Sequence, residues 1–325
     1  MTILVTGGTG FVGSNLVRAL AETGHEILCF DYVPPNTLVK GFLKPWESQI
    51  TFIQGNILDP DSVEKLTTNK ITKIVHAAVF TGIFPEIEQS QSSLILETNI
   101  IGTKNMLELA RQVVPERFLY VSSGSVYGEG HDPEEVLKET AELLPKTLYE
   151  STKYASELIT RRYGELHGFE TVSVRLSSPY GPMERITGHR ANQSLLKELT
   201  GKVLRKEPLE IGDLSHGRDY TYITDIAHGI LAVLEATNLS FDTYNVSSGI
   251  WITLEDIVNA LKELKPDIQI IDATSKDIGA LTGTLDRGPL DVTRLQTDIG
   301  HIAKYNLVSG LKEYIAWRQE FSFYE

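Results

Sequence analysis

The chain of 325 residues has a single cysteine, so no internal disulfide can form. A polypeptide of this length buries roughly 75 % of its unfolded surface and needs no such staple. Cys29 lies in the apolar run Glu26-Ile27-Leu28-Cys29-Phe30 and is expected to be a small core residue of a protein made for a reducing cytoplasm. Basic charge is scarce: 30 Lys and Arg stand against 43 Asp and Glu, a formal net charge of −13, and the longest basic cluster is Arg161-Arg162. Nucleic acid and anionic membrane both demand a basic face, so neither is an expected partner. No run approaches the roughly 18 to 20 continuous apolar residues of a membrane span. A first strand beginning almost at Met1 is expected to leave no room for a signal peptide. The 8 histidines show no metal-ligand spacing, and with one cysteine no metal site is expected. What is present, 41 % hydrophobic and 22 % charged residues, is the composition of an ordinary globular protein.

Short β-branched runs alternate with stretches of helical period, the pattern of βαβ units around a parallel sheet. Strands are predicted over 2–6, 26–31, 50–54, 74–78, 117–122 and 171–176, several too apolar to have a wet face. Helices are predicted over 11–22, with Gly24 as C-cap, and near 94–113 and 149–166. The fold class is therefore α/β, with six strands in a doubly wound parallel (Rossmann) sheet. After about Ser178 the alternation fails, as Pro179, Gly181, Pro182 and Gly188 fall close together. A helix at 224–236, a strand at 243–246, a helix at 253–264 opened by a Thr253/Asp256 capping box, and an amphipathic stretch at 311–321 follow. They make a smaller C-terminal α/β unit over the first.

The loop Thr6-Gly7-Gly8-Thr9-Gly10-Phe11-Val12-Gly13 spaces Gly7, Gly10 and Gly13 three residues apart. Glycines alone are a weak signal, but this loop leaves a buried strand and opens a helix. Its amides, from Gly7 to Phe11, Val12 and Gly13, then face outward at the carboxyl edge of the sheet, where a pyrophosphate binds. Asp31 ends the second strand and can accept both ribose hydroxyls of an adenosine while repelling a 2′-phosphate. No Arg or Lys lies between Asp31 and Lys40, which favours NAD over NADP. Asn56 and Ile57, after the third strand, stand at the next edge position, within reach of an adenine.

Tyr149 and Lys153 are spaced i, i+4 at a helix start, which stacks both side chains on one face. Among 13 tyrosines this is the only such pair, and Ser122-Ser123 closes a strand at the same sheet edge. With these residues go Gly55-Asn56-Ile57-Leu58-Asp59, His76-Ala77-Ala78, Asn99-Ile100-Ile101-Gly102-Thr103-Lys104-Asn105, Ser122 to Gly128, and Arg218-Asp219 followed by Asp225. In that order the motifs resemble the extended short-chain dehydrogenase/reductase family of nucleotide-sugar epimerases, dehydratases and decarboxylases, from Thr2 to about Trp317.

The resemblance implies an NAD-binding unit of residues 1–178 with a return of about 219–246, and a substrate-binding unit of about 179–218 and 247–325. It implies cofactor contacts from Ala77, Ala78, Val79, Asn99, Tyr149 and Lys153, and substrate contacts from Thr81, Ser123 and Ser178. Tyr149 would take a hydroxyl proton, helped by the Lys153 ammonium because a free phenol of pKa about 10 is a poor base at neutral pH. Ser123 would hydrogen-bond the same oxygen. Arg218, and Arg287 with Asp291, would grip a nucleotide diphosphate, although the second spacing is one residue longer than the family pattern. The segment from Met183 to Arg190 lacks the usual glycine-rich passage and offers Arg190 to an anionic substrate. Where the family's 4,6-dehydratases carry an Asp-Glu pair after the catalytic Ser or Thr, this chain has Gly124 and Ser125, which disfavours dehydration and, more weakly, decarboxylation.

The expected function is therefore an NAD-dependent epimerase that inverts a sugar carbon, C4, of a nucleotide sugar through a transient ketone. The alternative is a dehydrogenase or reductase of a non-nucleotide sugar or hydroxy acid on the same fold. A dinucleotide-sensing protein on a degenerate scaffold is a third reading, opposed by the intact Ser123, Tyr149 and Lys153. His76 is either structural or lines the cofactor, while His189 and His216 are candidates to touch substrate. The resemblance further implies a homodimer formed through the helices at 94–113 and 149–166.

Overall fold

The computed structural model describes residues 1–128, 132, 135–190, 193–272 and 287–324. Strands β1 (Thr2–Thr6), β2 (Glu26–Asp31), β3 (Ile50–Gln54), β4 (Lys73–His76), β5 (Arg117–Ser123), β6 (Glu170–Leu176) and β7 (Thr243–Val246) form one sheet in the order β7-β6-β5-β4-β1-β2-β3. Every pairing is parallel. Side chains alternate between the two faces, so Ile3, Val5, Val75 and Leu119 enter one core while Leu4, Ile74, Phe118 and Tyr120 enter the other. Both faces are covered by helices, which is why these strands lack a polar stripe. A truncation here, such as Leu4→Ala, is expected to cost about 2–5 kcal/mol.

The order reverses direction between β1 and β4, and the cleft at such a switch point is where α/β sheets hold ligands. Helix α1 (Phe11–Glu22) leaves β1 there, and Gly24 just beyond it takes φ +84°, as a helix-ending glycine should. The sheet has seven strands rather than the six expected. The extra one, β7, arrives by way of the helix Ile223–Glu235, whose last carbonyls are held by buried cations. Arg117 donates to Val233 O at 2.7 Å and Leu234 O at 2.9 Å, and Lys73 donates to Leu234 O at 3.1 Å.

Two boundaries near the sheet's carboxyl edge differ from expectation. β4 stops at His76 because the backbone then turns out of the ladder and Ala78 N donates to the Thr6 hydroxyl at 3.2 Å. The helix predicted near 94–113 is instead α2 (Pro85–Leu96), a wide turn over Glu97–Ile101 and α3 (Gly102–Val113). Pro85 in the first turn, with Glu86 and Glu88, supplies the early start. A π-type turn of this kind marks a special site within a helix. Here it carries Asn99, whose amide accepts from Phe80 N at 2.8 Å and donates to Phe80 O at 3.1 Å and to the Thr152 hydroxyl at 3.0 Å. Helix α4 (Leu148–His167) begins with Thr147 as N-cap in a capping box with Glu150. The predicted box of Thr253 and Asp256 is present at the start of Leu254–Leu264.

Among the described residues no helix is long and apolar enough to cross a membrane, and no group of three or more His, Cys, Asp or Glu could hold a metal ion.

Candidate active site

The carboxyl edge of the sheet opens into a cleft of about 730 Å³. One end is built from the glycine loop. Gly7 sits at φ +68°, and a Cβ on it would come within 2.8 Å of the Ala78 backbone. A Cβ on Gly13 would stand 2.0 Å from Gly7 O, so glycine is what lets α1 pack onto the loop that precedes it. Gly10 caps α1 without any side chain reaching its amides, and the first N–H groups of a helix have no intrahelical partner. That leaves the amides of Phe11 and Val12 and the positive end of the helix dipole for an anion. The Arg190 guanidinium lies 5.1 Å from the centre of the Phe11 ring, and its Nε is buried with no hydrogen-bond partner. A bare cradle, an uncapped helix start and an unpaired guanidinium N–H fit a pyrophosphate.

Asp31 closes this end of the cleft. Its Oδ2 accepts from Thr9 N at 2.9 Å and its Oδ1 from Val33 N at 3.0 Å, so each oxygen keeps a lone pair for a further donor. Asn56 and Ile57 also line the wall, although the Asn56 carbonyl already accepts from Leu58 N at 2.9 Å. Ala77, Ala78, Val79 and Thr81 form the opposite side. Asn99 does not line the cleft: its amide is spent one layer back on Phe80 and Thr152. It holds the Phe80 segment that forms the wall.

The segment from Met183 to Arg190 crosses the cleft as a strap. Arg185 donates to Thr9 O at 2.6 Å and Met183 O at 3.2 Å. Thr81 N donates to His189 O at 2.8 Å, and the His189 ring meets both Tyr32 and Phe80 edge-on at 5.6 Å. At the strap's base buried Glu184 accepts from the Ser194 hydroxyl at 2.7 Å, and Pro182 O accepts from Asn15 at 2.9 Å. Arg185 thereby places a guanidinium near enough to Asp31 for the two charges to interact. Local spacing could not reveal this, since the two residues are far apart in sequence.

At the other end, Ser123, Tyr149 and Lys153 come together. Tyr149 stands in the first turn of α4, partly exposed to the cleft, with Ser123 beside it on the cleft wall. Lys153, one turn on, is buried; its ammonium donates to Val121 O at 2.7 Å and lies 4.8 Å from the Tyr120 ring centre. Burial pushes the Tyr149 phenol up, opposed by the Ser123 hydrogen bond and the positive charges of Arg190 and Arg287. Burial pushes the Lys153 ammonium down to about 7, opposed by the Glu157 carboxylate. Both shifts disfavour the charged forms, phenolate and ammonium alike, and of the two it is Lys153 that is brought near neutral pH. Among the described residues lining the cleft, the one carboxylate is Asp31, at the far end. Gly124 and Ser125 offer none beside Ser123.

Other candidates stand apart from the lining. Ser178 opens a strand paired with Tyr220–Tyr222, while its neighbours Ser177 and Pro179 reach the cleft. Arg218 pairs through its backbone with Ile252, and Arg287 is buried where its charge reaches Tyr149. Between them Asp219 accepts from Leu290 N at 3.1 Å and the Thr221 hydroxyl at 3.0 Å. His216 is exposed beside Asp213. His76 is a core residue: its nitrogens contact the hydroxyls of Thr6 at 2.7 Å and Thr103 at 3.0 Å.

Residues 3–247 match the model of the NAD dependent epimerase/dehydratase family. The low-salt glycan biosynthesis protein Agl12 of Haloferax volcanii is 26 % identical across 99 % of this chain and 95 % of its own length. A UDP-glucose 4-epimerase from Thermotoga maritima, solved with UDP-glucose, has 25 % identity and a TM-score of 0.84, covering 99 % of this chain and 100 % of that one. A UDP-glucuronic acid 4-epimerase from Bacillus cereus, solved with NAD, has 25 % identity and a TM-score of 0.81, with each chain covered over 100 % of its length.

Proposed function

Because the chain belongs to the NAD-dependent epimerase/dehydratase family, within the extended short-chain dehydrogenases/reductases, we propose that it is an NAD-dependent epimerase that inverts C4 of a nucleotide sugar through a transient 4-ketone. The observation that carries this is the meeting of Ser123, Tyr149 and Lys153 at one end of a cleft whose only described carboxylate is at the other. Elimination of water needs a further acid and base beside the sugar, and among the described residues lining the cleft no carboxylate stands at that end to supply them.

In this reading the amides of Phe11, Val12 and Gly13, over the cradle that Gly7 and Gly10 leave open, would hold NAD, which when bound would supply a reversible hydride acceptor for the sugar carbon. Tyr149 receives the hydroxyl proton and later gives it back. Ser123 donates to the same oxygen as it becomes a carbonyl. Lys153 favours the phenolate by its charge and holds the nicotinamide ribose, while Asp31 accepts from the adenosine ribose. Arg190, near Tyr149 and Phe11, meets phosphate or another anionic group, and Arg218 and Arg287 grip the diphosphate of the sugar nucleotide.

We assign residues 1–178 and about 219–246 to the cofactor unit, and about 179–218 and 247–325 to the substrate unit. A cytoplasmic homodimer completes the reading. Its support is the exposed apolar surface of the helices concerned, Leu96 at 45 %, Ile101 at 49 %, Leu158 at 40 % and Leu166 at 56 %; sedimentation of the purified protein as a monomer would remove it.

The test of the activity is incubation with a panel of UDP-, GDP- and dTDP-sugars, with products followed by NMR and NADH by absorbance. Interconversion of a C4 pair without net NADH is expected. Stoichiometric NADH from a free sugar acid, with no nucleotide sugar converted, would overturn it in favour of a dehydrogenase.

A further inference from the structure

Behind the catalytic edge lies a buried charge with no part in the scheme above. Glu157 follows Lys153 by one turn on the same face of α4 and is 6 % exposed. Its carboxylate accepts from the Ser122 hydroxyl at 2.5 Å, and from Arg175 Nε at 3.0 Å and Nη2 at 2.8 Å. Arg175, on β6, is equally enclosed and also donates to Tyr127 Oη and Glu139 O, each at 3.1 Å. Holding a helix on a sheet needs no such device, since an apolar pair of similar volume does it without desolvating two charges. What distinguishes this pair is its position, with one partner touching the neighbour of Ser123 and lying one turn from Lys153.

We propose that Glu157 is a positioning residue for the reaction: it fixes Ser122, and with it the aim of Ser123, and it keeps a negative charge close to Lys153. The inference rests on the roles given above to Tyr149 and Lys153. Phenolate with ammonium and phenol with amine contain the same number of protons, so pH alone cannot choose between them. A fixed anion nearer the lysine than the tyrosine can. Glu157 is four residues from Lys153 and eight from Tyr149, so it stabilises the ammonium more than it disfavours the phenolate. The other groups facing Lys153 do not supply this field. Tyr120 on β5 presents a ring. His76 on β4 is kept neutral, its pKa pushed down to about 3 by burial and by Lys153 itself. Arg175 on β6 is a cation, bound to Glu157 and opposing it in part. Burial draws the ammonium toward loss of its proton, and Glu157 works against that.

The test compares Glu157→Gln, which keeps the volume and an acceptor for Ser122 but loses the charge, with Glu157→Asp, which keeps the charge on a shorter arm. The first readout is the titration of the Lys153 ε-methylene by carbon-13 NMR in the holoprotein, identified against Lys153→Met. Glu157→Gln is expected to lower it by about one pH unit, and Glu157→Asp to restore most of that. The second readout is the kcat–pH profile, which should move to lower pH by a similar amount in Glu157→Gln and lose about tenfold at its plateau, with KM unchanged. An unmoved Lys153 titration in folded Glu157→Gln, or Gln outperforming Asp in rate, would overturn the proposal. Should the unpaired Arg175 prevent folding, Glu157→Gln with Arg175→Met removes both charges, and Lys153 must still titrate lower than in the parent. The titration uses no substrate, so a wrong assignment of the reaction would leave it intact and show only in the panel of sugars.

Discussion

Replacing Asp31 by Asn separates the charge of one side chain from its shape. In the native chain its two oxygens already accept from Thr9 N and Val33 N at 2.9 Å and 3.0 Å, leaving one lone pair each for a ribose. Asn keeps one acceptor and turns an amide N–H₂ where the other was. Hydrogen bonds to a charged acceptor contribute about 1.5–3 kcal/mol and neutral ones about 0.5–1.5, so weakening the pair costs about 2 kcal/mol, roughly thirtyfold in NAD affinity. For NADP the change has the opposite sign. A 2′-phosphate of charge about −2 some 5 Å from a carboxylate, at an effective dielectric of about 40, is repelled by about 3 kcal/mol, and Asn removes that term. Arg185 remains nearby and attracts the phosphate. The preference for NAD over NADP should therefore narrow by at least about two orders of magnitude. Calorimetric titration of cofactor-stripped protein at fixed ionic strength measures both constants, with the melting temperature as the check on the turn. Adding Arg185→Ala should then cost NADP about tenfold more than NAD. An unchanged ratio in a variant that melts normally would refute the placement of the adenosine ribose at Asp31.

Tyr149→Phe should lose essentially all turnover while binding NAD within a few-fold of the parent; retained turnover would exclude the phenol as the proton carrier. Cys29 is 1 % exposed, and burial pushes its thiol up. A thiol reagent should therefore label it only as fast as the protein unfolds, which mass spectrometry of a time course can check. His76 is held neutral down to about pH 3 by burial, whereas an unfolded histidine protonates near pH 6.5. Between those values the unfolded chain binds the extra proton, so stability present above pH 6.5 is progressively lost toward pH 3. Urea midpoints of His76→Gln should show a shallower acid decline than the parent, and parallel curves would assign the decline to the carboxylates.

The main sheet was legible because each strand is buried on both sides and is announced by an unbroken apolar run. Strand β7 was found as a strand, but its place beside β6 depended on Arg117 and Lys73 holding the helix before it, a contact across more than a hundred residues. The start of α2 was missed although Pro85, Glu86 and Glu88 signal it, because the helix that follows has few apolar side chains to bury. In the site, local signals sufficed to bring the glycine loop, Asp31, Tyr149 and Lys153 to one cleft, because each sits at the carboxyl edge of the sheet or in the first turns of a helix beside it. They failed for Arg185. The lack of a basic residue between Asp31 and Lys40 suggested an adenosine pocket without a guanidinium, and the fold brings one in from the strap. Asn99 reads from the sequence as a cofactor contact, but the wide turn that bears it aims its amide at Phe80 instead of the cleft.

The strap also bears on how the molecule comes apart. Arg185 is tied to Thr9, Thr81 to His189, and Asn15 to Pro182, so an early and a late stretch of chain are buttoned together directly over the anion site. A ligand bound beneath those ties contacts both stretches, and its binding energy cannot be credited to either one. Saturation at a hundred times Kd adds about 2.7 kcal/mol to unfolding, and that increment is shared by the two stretches on either side of the seam. Loss of the dinucleotide would loosen the seam first, so the same buttons that retain a cofactor also report its absence to proteases.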